Sequence, residues 1–155
     1  MTWRRRRAKA TVAFVVASVF SLVCAVVAQN SPNAESFKAR LSPIPINVSM
    51  MSTIAGDGAL TATLSGKQLT IQGTFEGLRS AATTVQIHRG AKGIPGPVIA
   101  DLSANLSVTK AEKGSVSGTL QLTPDEIADL RGGRLYVQIQ SESAPDGNLW
   151  GWLLH

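Results

Sequence analysis

His88 is the mature chain's main candidate for proton or metal chemistry, and the residues spaced to join it are amides and indoles rather than acids or thiols. Side chains alternate along an extended strand, so Gln86 and His88 share a face opposite Val85 and Ile87. Tyr136, Gln138 and Gln140 share a face opposite Leu135, Val137 and Ile139, while Asn148, Trp150 and Trp152 alternate with Leu149, Gly151 and Leu153. If these three strands are neighbours, Gln86, His88, Gln138, Gln140, Asn148 and Trp150 form a candidate ligand-binding surface. Amides hydrogen-bond without charge and aromatic rings cover apolar patches, which suits a neutral polyhydroxylated ligand or a protein loop. The plain alternative is that the glutamines are solvated strand positions and Trp152 packs at the rim of the core, the ordinary pattern of antiparallel sheets.

Other chemistries lack their parts. A zinc or copper site takes three or four ligands, and the only histidines are His88 and His155 and the only cysteine is Cys24. No Gly-x-Ser-x-Gly elbow occurs, and no serine has a recognisable histidine-acid relay. Asp125, Glu126 and Asp129 read as helix-capping and dipole residues, and Asp146-Gly147 as a turn. Arg79, Arg89 and Lys92 flank the connection after His88. They offer charge for a phosphate, but Gly93-Ile94-Pro95-Gly96-Pro97 reads first as a fixed solvated loop. The expectation is a protein with no enzymatic activity and no cofactor.

The N-terminus sets the compartment. Arg4, Arg5, Arg6, Arg7 and Lys9 precede an uncharged run from Ala10 to Val27, and Val26-Val27-Ala28 ends it with a small-x-Ala pattern. Residues 1–28 are therefore expected to be a signal peptide, with an uncleaved anchor as the rival because the apolar run approaches spanning length. Lipidation at Cys24 and twin-arginine export are minor readings. The domain is expected in the periplasm or outside the cell, touching a membrane only if the segment is retained. The chain's net charge of +5 has its source here: cleavage removes five of fifteen bases and none of ten acids. The neutral remainder carries no basic patch to recommend nucleic acid.

Residues 29–36 read as a flexible lead and residues 37–155 as one domain. Short alternating runs at Phe37–Leu41, Ala59–Leu64, Leu69–Phe75, Thr84–His88, Pro97–Leu102, Ser115–Leu122, Leu135–Gln140 and Asn148–Leu154 lie between glycine, proline and polar turns. They predict an all-β antiparallel sandwich or barrel of about eight strands. Thr123-Pro124-Asp125-Glu126 is a capping box with proline at the first helical position, and Gly132-Gly133 is a stop, so one short helix precedes the penultimate strand.

Several stretches in register resemble the CHRD domain, a module named from chordin. They are Val85-Gln86-Ile87-His88-Arg89-Gly90 through Gly96-Pro97-Val98-Ile99-Ala100-Asp101-Leu102; Gly114-Ser115-Val116-Ser117-Gly118-Thr119-Leu120 with Leu122-Thr123; and Gly133-Arg134-Leu135-Tyr136-Val137 through Asn148-Leu149-Trp150-Gly151. Phe37 to Ser42 resembles that domain's first strand, so the likeness spans Phe37 to Leu154. It implies a Greek-key-like sandwich in exported proteins with no agreed activity. Many members carry a His-x-His pair where this chain has Gln86-Ile87-His88. They carry a further histidine where it has Gln140, and a Glu-x-Arg-Gly ending where it has Asn148-Leu149-Trp150-Gly151. The resemblance thus implies a non-enzymatic module contacting a protein or neutral ligand. The alternative is an accessory or metal-handling protein of an exported redox system with His88 as a residual ligand.

Overall fold

A computed structural model describes residues 34–103, 106–107 and 112–155. The proposed address and most of the lead, residues 1–33, lie outside the described residues.

Alternation dictates the first three strands. In β1 (Glu35–Pro43), Phe37, Ala39 and Leu41 point inward while Lys38 and Arg40 point out. In β2 (Asp57–Ser65), Leu60, Ala62 and Leu64 are buried, and in β3 (Gln68–Glu76), Leu69, Ile71 and Phe75. Gly66 and Lys67 close the β2–β3 hairpin, with a positive φ of 62° at Gly66 alone. That places glycine at the first central position of a II′-type turn, whose twist matches the strands.

The remaining strands are β4 (Ala82–Arg89), β5 (Val98–Asp101), β6 (Leu106–Ser107), β7 (Gly114–Gln121), β8 (Leu135–Ser141) and β9 (Ala144–Trp152). Helix α1 (Pro124–Arg131) stands before β8, the penultimate strand. All pairings are antiparallel and the order is β5-β4-β8-β9-β1-β2-β3-β7-β6. The all-β expectation holds, with eight strands of four or more residues and the two-residue β6 beside them. β1 joins the two halves: Glu35–Leu41 pairs with β2, and Ser42–Pro43 pairs with β9. The sandwich is thus one rolled, nearly closed barrel-like sheet around a single main core of inward residues from both halves.

Two boundaries differ from the pattern in the sequence. β1 begins at Glu35 rather than Phe37, because Glu35 and Ser36 pair with Leu64 and Thr63 and the Glu35 carboxylate binds Arg131 of α1. That bond holds the Glu35 carboxyl below its ordinary value, with desolvation opposing. The β8–β9 turn falls at Glu142–Ser143, so Asp146-Gly147 lies inside β9 instead of forming the turn. A register shift between Ile139 and Ser141 accommodates the earlier reversal.

The capping box of α1 forms as expected: Thr123 Oγ1 accepts from the Glu126 amide at 3.3 Å, and Glu126 Oε2 accepts from the Thr123 amide at 2.8 Å. Leu130 is fully buried against the core. Thr123→Ala is expected to cost about 1 kcal/mol in urea unfolding, the usual loss for an N-cap hydroxyl. An unchanged midpoint would show that tertiary packing alone holds this helix.

Candidate functional site

β8 and β9 depart from the inward-apolar, outward-polar rule. Leu135 to Ile139 are all buried, and so are Gly147 to Leu153. One face packs into the main core. The other carries Tyr136, Gln138, Asn148, Trp150 and Trp152 beneath two connections: a strap, residues 44–56, between β1 and β2, and the loop 90–97 between β4 and β5.

The register brings the candidate residues together. β4, β8 and β9 are adjacent, with Gln86 opposite Gln138 and Gln138 opposite Trp150. His88 stands opposite Tyr136, Tyr136 opposite Trp152, and Thr84 opposite Gln140. Cross-strand neighbours on one face lie within side-chain contact, and the rings use it. His88 and Tyr136 stack at 5.0 Å and 15°, Tyr136 and Trp150 at 5.3 Å and 17°. Trp152 leans on Tyr136 at 4.9 Å, and Ile44 of the strap packs onto the three larger rings. These are favourable offset geometries, which add to the burial itself.

The polar tips hold the two connections. The Gly96 carbonyl can only accept, so the 2.9 Å contact with His88 Nδ1 places a proton on that nitrogen. The Gly96 amide donates to Tyr136 Oη at 3.0 Å, and Trp152 Nε1 donates to the Gly90 carbonyl at 3.0 Å. Asn148 Oδ1 accepts from the Ala55 amide of the strap at 2.9 Å. Gln138 Nε2 donates to the Asp146 carbonyl at 2.8 Å within the site. Gly147, at φ 125°, sits where a Cβ would fall 2.3 Å from Gln138 Nε2 and 2.8 Å from Trp150 Nε1, so any side chain there displaces both.

His88, Gln138, Asn148 and Trp150 are each less than one-tenth exposed. Gln86 and Gln140 are half-buried at the rim, and Gln86 reaches Asp101 at 3.5 Å. A molecule arriving from solvent therefore meets Gln86, Gln140 and the two covering connections first. Tyr136 and Trp152 are as central as the six candidates. Their strand alternation was visible, but the strap over them carries no periodic signal.

The electrostatics are quiet. Burial raises the Tyr136 phenol above its ordinary value, with the Gly96 amide opposing. Asp101 is lowered by hydrogen bonds from the Ser103 side chain and backbone, with Gln86 a smaller contributor. Arg89 Nε lies 2.6 Å from Asp129 Oδ2, and Arg134 shares the same carboxylate at 2.8 Å, tying the end of β4 to α1. Among the described residues no three His, Cys, Asp or Glu side chains gather as a metal set. The arrangement offers stacked rings, amides at a rim and two tethered connections.

The covering connections are also where apolar side chains reach solvent. Ile46, Val48, Met51 and Ile94 lie on them, Val98 follows the loop, and Leu154 is the one other large exposed hydrophobic among the described residues. Met50 and Ile54 anchor the strap against Ala144, and Ser143 Oγ donates to the Thr53 carbonyl.

A family model described as the CHRD domain matches residues 37–153. No curated protein and no solved structure gives a significant match.

Proposed function

The chain belongs to the CHRD domain family, and from that premise we propose that it is an exported, non-enzymatic contact module. Its partner is a protein met by the strap and the loop over β4, β8 and β9, with Gln86 and Gln140 at the rim. The observation that carries this reading is the concentration of exposed apolar side chains on those two connections, led by Val48 at 84 % exposed. Exposed apolar groups gathered on connecting segments are the usual mark of an interaction site, and loops carry function on a rigid scaffold. His88, Gln138, Asn148 and Trp150 then act beneath the surface, setting the cover that the partner reads. The metal-handling alternative gains little from the site, since His88 Nδ1 is committed to Gly96 and Nε2 is shielded from solvent.

The test is a photoreactive residue placed in turn at Val48, Ile94 and Thr119, with the protein recovered from the exported fraction and Gln29 as its first residue. One discrete adduct with a protein other than a second copy of this chain is expected from positions 48 and 94 and none from 119. Val48→Asp should remove the adduct formed at 94. Equal labelling from all three positions, or retention of the whole chain inside the cell, defeats the reading.

A further inference from the structure

The outer face of β1, β2 and β3 carries charges that have no ion-pair partner among the described residues. Lys38 and Arg40 project from β1, and Asp57 and Glu76 face one another directly across β2 and β3. All four are exposed, and the three ion pairs among the described residues use other side chains. Like charges directly opposite on an antiparallel pair are destabilising, so the acid pair carries a cost that Arg40, diagonal to Asp57, and Lys113, on the same groove, are placed to reduce without closing an ion pair.

These charges border an open groove of about 980 Å³. Between the basic pair and the acidic pair lies Ala59, opposite Arg40 on one side and Thr74 on the other. Around it the floor is small and hydroxylic, with Thr61 and Ser115 among the lining residues. A two-fold axis lying in the plane of this face and passing over Ala59 carries the basic pair onto the acidic pair. The patch is therefore complementary to itself, which is the requirement for an isologous dimer. A glycan of either charge would meet repulsion from one of the two pairs.

We propose that a second copy of this chain docks face to face on β1–β2–β3, with Lys38 and Arg40 of each copy against Asp57 and Glu76 of the other. The small floor residues let two sheets approach to their ordinary packing distance of roughly 10 Å. The four charges then set register more than raw affinity.

The experiment is sedimentation equilibrium on the exported protein, comparing wild type with the double variants Lys38→Glu/Arg40→Glu and Asp57→Lys/Glu76→Lys. The wild type is expected to be a dimer that dissociates as salt rises, because exposed pairs are screened. Each double variant places like charges across the interface and is expected to associate at least about a hundredfold more weakly. Mixing the two variants should restore the dimer mass, which also shows that neither is misfolded. A monomeric wild type, dimers in both variants alone, or a mixture that stays monomeric overturns the proposal.

Discussion

Trp150→Ala should lower the free energy of unfolding by about 3–5 kcal/mol, the range for deleting a large buried aromatic. The indole is 3 % exposed, stacks on Tyr136, and shares its cluster with Trp152 and Ile44 of the strap. Its Nε1 has no hydrogen-bond partner among the described residues, so the loss is one of packing and not of a bond. Trp150→Phe should therefore recover most of it, leaving a deficit of about 1–2 kcal/mol from the smaller ring. Urea titration with an unchanged m-value measures both. A Trp150→Ala loss below about 1 kcal/mol would falsify the description of this layer as a packed second core, since such a site would be collapsing freely or already wet. The strap should respond too, with faster amide exchange at Ala55, whose partner Asn148 lies two residues from Trp150.

The fold was largely legible because its main core obeys period two. Phe37, Ala39 and Leu41, then Leu60, Ala62 and Leu64, declare an inward face without tertiary information, and the capping box at Thr123 declares the helix. The two-residue β6 was not legible, since a strand that short has no period to detect. The early start of β1 was also hidden, because it depends on Arg131, distant in sequence, reaching Glu35.

At the candidate site, alternation correctly assigned Gln86, His88, Gln138, Gln140, Asn148 and Trp150 to one side of their strands. Which strands adjoin is a property of topology, and the β4–β8 and β8–β9 register now brings the six together. What alternation does not reveal is whether an outward face meets water. Here Pro43-Ile44-Pro45-Ile46 leaves β1 and folds back over the sheet, converting a nominal surface into an interior. A hint was present: Tyr136, Trp150 and Trp152 are too large and apolar to stand together in solvent without cost.

The loop on the other side of that layer is tested most sharply at Gly96. A methyl group there would sit 1.7 Å from the Arg89 carbonyl oxygen, backbone against backbone, with no flexible side chain to yield. The loop must lift, and lifting breaks both bonds that Gly96 makes: its amide to Tyr136 Oη and its carbonyl to His88 Nδ1. Each such bond is worth about 1 kcal/mol net, and a buried group left without its partner costs about 1–3 kcal/mol. Gly96→Ala is therefore expected to lose about 2–4 kcal/mol on these terms. Gly93, in the same loop, supplies the control. Its φ of 83° strains any other residue, but no atom lies within 4 Å of an added Cβ, so Gly93→Ala should cost only about 1 kcal/mol. Amide exchange at Ile94 and Gly96 should rise in the first variant and stay near wild type in the second. Equal losses in the two would mean that backbone strain, and not the grip of His88 and Tyr136, governs this loop, and the stacked rings would then have no hold on the surface above them.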